Sequence, residues 1–72
     1  MNINYTWNMK LIDNYIKQNN LSKTKFCKLC GISYYILKQM YLGNMHINIE
    51  VWIKIVEKLN INMVDFIKRI DT

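Results

Sequence analysis

The chain contains no proline and no alanine, only two glycines and two cysteines, one histidine and five acidic residues among its 72. Each shortage excludes something. The one histidine, His46, has no catalytic partner in view, so no Ser/His/acid set is legible. Five scattered carboxylates form no pair that reads as a general acid and base. Gly31 and Gly43 are twelve residues apart, so no glycine-rich phosphate loop is present. Cys27 and Cys30 make a single C-x-x-C. With His46 as the only other candidate of note, they fall short of the roughly four ligands that zinc requires. Small core side chains on a helix account for both cysteines. No apolar stretch is long enough to span a membrane, and Met1 to Lys10 lacks the basic-then-apolar layout of a signal peptide. The expectation is a cytoplasmic protein that is not an enzyme, with no cofactor, metal, membrane or small-molecule ligand.

What the chain does have is apolar content and an uneven charge. At 51% hydrophobic residues, a single small domain can build a core by burial alone. The net charge is +5. From Ser22 to Met45 there are four lysines (Lys23, Lys25, Lys28 and Lys38) and no acidic residue. From His46 onward four bases balance four acids, and residues 1–21 add +1. The positive field is therefore concentrated in the middle third, which suits a polyanionic partner.

Without proline, boundaries must be read from asparagine, glycine and serine. The pattern predicts five helical segments. The first runs from about Thr6 to Gln18, with Ile12, Tyr15 and Ile16 at helical spacing before Asn19-Asn20. The second opens on Ser22 as N-cap, carries Phe26, Cys27 and Cys30 on one stripe, and ends at Gly31. The third, capped by Ser33, spans Tyr34 to Leu42 and stops at Gly43. The fourth is capped by Asn48, carries Trp52, Ile55, Val56 and Leu59, and closes at Asn60. The pattern Asn62-x-x-Asp65 resembles a capping box for a fifth helix, Asn62 to Ile70. No segment reads as a convincing strand. The expected core includes Ile12, Phe26, Cys27, Leu37, Trp52, Val56 and Leu59.

The informative unit is the pair of short helices joined across Cys30-Gly31-Ile32-Ser33, a turn that lets two helices cross steeply and presents the second outward. The run Leu21-Ser22, Phe26-Cys27, Gly31-Ile32-Ser33, Leu37, Gly43, Ile49, Trp52, Ile55, Leu59, Asn62 and Phe66 resembles the λ-repressor-like (Cro/XRE) helix-turn-helix family over roughly residues 8–68. The resemblance implies an all-α fold, a compact five-helix bundle preceded by an N-terminal segment, 1–7. The DNA-binding domain would then span 8–70, with its helix-turn-helix unit at about 22–42. It implies sequence-specific binding of double-stranded DNA by a bacterial or phage transcriptional regulator, with the helix from Tyr34 in the major groove. Where many relatives carry an arginine on the first helix and a glutamate ending the third, this chain has Ile16 and Tyr41. Joint loss of both partners is tolerable, whereas loss of one costs about 3–5 kcal/mol.

The same frame assigns roles. Tyr34, Tyr35, Lys38 and Gln39 are candidates for base contacts: rings against thymine methyls, Gln39 bidentate to adenine, Lys38 to guanine or phosphate. Lys23, Lys25 and Asn44 are candidates for the DNA backbone. Useful discrimination asks for two half-sites, hence a homodimer on a palindromic operator, with Phe66, Ile67 and Ile70 as expected dimer contacts. The alternative is a helix-turn-helix fold repurposed as a protein–protein interaction module, antirepressor or antitoxin-like. The apolar start Tyr34-Tyr35-Ile36 and the outlying Leu29, Leu42 and Met45 speak for it.

Overall fold

The computed structural model describes residues 3–71. Strand β1 (Ile3–Trp7) leads into helices α1 (Met9–Gln18), α2 (Lys23–Cys30), α3 (Tyr34–Tyr41) and α4 (Ile49–Leu59). A 3-10 turn (Met63–Phe66) and strand β2 (Ile67–Asp71) follow. β1 and β2 pair antiparallel in the register Ile3–Asp71, Tyr5–Arg69 and Trp7–Ile67, so the two ends of the described chain form one ribbon.

Among the described residues the fold is therefore mixed, four helices and a two-stranded sheet, and the expected all-α five-helix bundle is corrected by it. Two segments account for the difference. The first helix starts at Met9 and not at Thr6, because Ile3 to Trp7 is extended. The fifth helix does not form: the Asn62 side chain makes no capping bond, and the chain leaves one 3-10 turn for β2. A segment of that length has too little helical stability of its own to resist pairing with a strand brought alongside.

Local chemistry explains the other elements. Ser22 Oγ accepts the Lys25 amide and Ser33 Oγ the Ile36 amide, both at 3.1 Å, while Asn48 Oδ1 accepts the Glu50 amide at 2.9 Å. Helix α2 ends on Gly31 at φ +75°, and α4 on Asn60 at φ +57°. Both sit in the left-handed region those residues tolerate best.

The core comprises Trp7, Ile12, Phe26, Cys27, Cys30, Leu37, Met40, Ile55, Val56 and Phe66. Trp52 and Leu59, expected inside, are half-buried against it. Trp7 comes from the segment expected to precede the domain. Its ring meets Trp52 edge-on at 5.2 Å and Phe66 at 5.3 Å. Its Nε1–H donates to the Asn44 carbonyl at 2.8 Å, which ties β1 to the loop after α3. Among the described residues no helix is long and apolar enough to cross a membrane.

Candidate nucleic-acid interface

The turn between α2 and α3 is built by its own backbone. The amides of Gly31 and Ile32 both donate to the Cys27 carbonyl, at 2.9 and 3.0 Å, closing α2. Ser33 then opens α3 two residues after Gly31. From α4, Lys54 Nζ donates to the Gly31 carbonyl at 3.4 Å and lies 3.7 Å from Glu50. A cation at a helix C-terminus is favoured by the helix dipole, so α4 braces the turn from outside. Nothing local in the sequence links Lys54 to Gly31, 23 residues earlier.

Leu37 and Met40 are buried and set which side of α3 faces inward. At 100° per residue the opposite side carries Tyr35, Lys38 and Leu42, with Tyr34 and Gln39 on its flanks. Tyr35 is 70% and Leu42 71% exposed, Lys38 is exposed, Tyr34 is 48% exposed and Gln39 is half-buried. The four candidate base-contact residues thus share one outward side with Leu42, a residue outside that group.

The backbone candidates fall into different settings. Lys25 is exposed on the first turn of α2. Lys23, also exposed, holds its ammonium 4.4 Å from the centroid of the Tyr41 ring, a cation–π contact worth about 0.5–1 kcal/mol at an exposed site. Asn44 is half-buried, its Oδ1 accepts the His46 amide at 2.9 Å, and its carbonyl receives Trp7. Only its Nδ2 has the polarity to meet a phosphate oxygen.

Tyr41 also changes the reading of the missing ion pair. Its hydroxyl donates to Asp13 Oδ1 on α1. Burial first, and the bond to the Asp13 carboxylate second, push its ionisation well above the usual phenol range. The link between α1 and α3 is thus a tyrosine–carboxylate hydrogen bond. Ile16 packs half-buried against the core.

Of the expected dimer contacts, Phe66 is the one that the fold turns inward. It is fully buried, because the chain turns it in against Trp7 instead of presenting it on a fifth helix. Ile67 is half-buried, and Ile70 is 40% exposed on the ribbon. Cys27 and Cys30 are buried free thiols, and among the described residues no group of three or more potential metal ligands comes together.

Comparison with protein-family models, curated proteins and solved structures finds no match for this chain.

Proposed function

We propose that the chain is a sequence-specific double-stranded DNA-binding protein of the helix-turn-helix type. It acts in the cytoplasm as a bacterial or phage transcriptional regulator, with α3 in the major groove and two copies on a two-fold operator. One observation carries this reading. A braced, doubly capped α2–turn–α3 unit turns Tyr35 and Lys38 outward, within a stretch that holds four lysines and no acid. Tyrosine, lysine and glutamine supply methyl contacts, point charge and bidentate amides, the chemistry that major-groove edges recognise. Neither a cofactor nor a small-molecule ligand enters the reading.

A second reading has its own support. Tyr35 and Leu42 are both about seven-tenths exposed on one side of α3, an apolar pair that also suits a protein partner. One experiment separates the two. After selection on random DNA, anisotropy titrations compare selected and scrambled duplexes at two salt concentrations. Parent binding should weaken steeply with salt. Lys23→Ala should weaken both duplexes alike and reduce the salt slope by about one per half-site contact. Gln39→Ala should spare scrambled DNA and relax one base preference by about 1–3 kcal/mol per half-site. A parent without salt-sensitive DNA binding would leave the protein-interaction reading in its place.

A further inference from the structure

The terminal ribbon has two outer edges, and their chemistry differs. Among the described residues β1 pairs with β2 alone. The Asn8 amide donates to the Phe66 carbonyl at 2.8 Å, one step beyond the Trp7–Ile67 pair. Hydrogen-bonded and non-hydrogen-bonded pairs alternate along an antiparallel ladder. Thr6 and Asn4 therefore bond β2 through their backbones, while Ile3, Tyr5 and Trp7 turn their N–H and C=O groups to the outer edge. On β2 the outward positions include Ile67 and Arg69.

Natural sheets protect open edges with charge or proline. β2 has that protection, with Lys68 and Arg69 at its centre. β1 reads Ile-Asn-Tyr-Thr-Trp, without charge or proline and rich in strand formers. Asn4 and Tyr5 are exposed, the latter at 54%. A two-stranded ribbon is at best marginal in water, so its solvent-facing half gains from further strands.

We propose that β1 is a homodimerisation edge, on which two copies of this chain pair β1 to β1, antiparallel about a two-fold axis at Tyr5, into a continuous four-stranded sheet. The occupant follows from register and charge. Outward residues must meet outward residues, and the alignment that does so over all five positions sets Tyr5 opposite Tyr5, Ile3 opposite Trp7, and Asn4 facing Thr6. A strand obeying that rule is its own complement, as an isologous contact requires. The equivalent pairing of β2 would set Arg69 against Arg69, a like-charge clash. An uncharged edge also gives a charged foreign peptide no electrostatic partner. The proposal deepens the two-copy reading of the function, yet it rests on the ribbon and not on DNA.

The test is sedimentation of the untagged chain over a wide concentration range without DNA. A reversible monomer–dimer equilibrium is expected. Tyr5→Pro deletes one outward N–H and no β1–β2 bond. Tyr5→Glu faces Arg69 favourably within its own ribbon, but sets two carboxylates together at the axis. Each should weaken the dimer about tenfold or more, and mixing Tyr5→Glu with Tyr5→Lys chains should restore it. Near-ultraviolet circular dichroism of the tryptophans checks that the variants stay folded. In the parent, hydrogen exchange at the Tyr5 amide should slow as concentration rises, a readout that needs no variant. A parent that stays monomeric at its highest soluble concentration overturns the proposal, as does a dimer that both variants leave unchanged. Salt-sensitive DNA binding by a monomer would sink this proposal and the two-copy arrangement on the operator, and would leave DNA binding by α3 standing. A β1 dimer indifferent to DNA would sink only the functional reading.

Discussion

Trp7 in the core meets Trp52 at its border, and among the described residues one of the two has its indole N–H in a hydrogen bond. Trp7 Nε1–H reaches the Asn44 carbonyl, whereas Trp52 Nε1–H is buried without a partner among the described residues. Trp7→Phe should therefore cost about 1 kcal/mol more than Trp52→Phe, since it breaks a bond and leaves the Asn44 carbonyl unmatched. Paired urea denaturation curves check this, and equal losses would refute it. Burial pushes the Cys30 thiol up to about 11 from its ordinary 9.0; the Lys58 charge opposes this and neighbouring Cys27 adds to it. Burial raises Cys27 as well. The unfolded chain gives up its thiol protons above about pH 9, while folded Cys30 keeps its proton to about 11. In that window the unfolded state binds fewer protons, so stability present below pH 9 is lost as pH rises. Cys30→Ala should flatten the decline in denaturation midpoint over the same interval, whatever its effect at neutral pH.

At the scale of elements, the helices that were legible are those whose signals lie within a few residues. Ser22, Ser33 and Asn48 open α2, α3 and α4 with their own side chains, and Gly31 and Asn60 close two of them in the left-handed region. A Cβ at Gly31 would meet nothing within 4 Å, so the cost of alanine there is backbone strain alone. Gly31→Ala should lose about 1–2 kcal/mol. Gly31→Asn should lose less, as Asn60 shows by holding that conformation naturally. Thermal denaturation of both variants tests the order. The strands were harder to read. Ile3-Asn4-Tyr5-Thr6-Trp7 does alternate apolar with polar, and that signal was available. Ile67-Lys68-Arg69-Ile70 does not alternate; a partner more than sixty residues earlier in the chain makes it a strand.

For the whole molecule, the ribbon ties the ends of the described chain to the core. Removing residues 1–7 takes away Trp7 and leaves β2 unpaired. That loss should cost at least about 3–5 kcal/mol, the usual price of truncating a buried aromatic ring. A domain this small has roughly 5–15 kcal/mol in all, so the shortened chain should lose a large share of its stability and melt well below the parent. A shortened chain that melts like the parent would show that the ribbon adds nothing. The capped helices α2, α3 and α4, the turn at Gly31, most of the helical core and the acid-free lysine cluster can be read from the chain without its fold, because each depends on near neighbours in sequence. Only the tertiary structure decided that Ile3–Trp7 and Ile67–Asp71 pair, that Phe66 turns inward, that Tyr41 bonds Asp13, and that Lys54 braces Gly31. These contacts join residues far apart in sequence. Their formation depends on which surfaces the folded helices bring within reach, a quantity no local window contains.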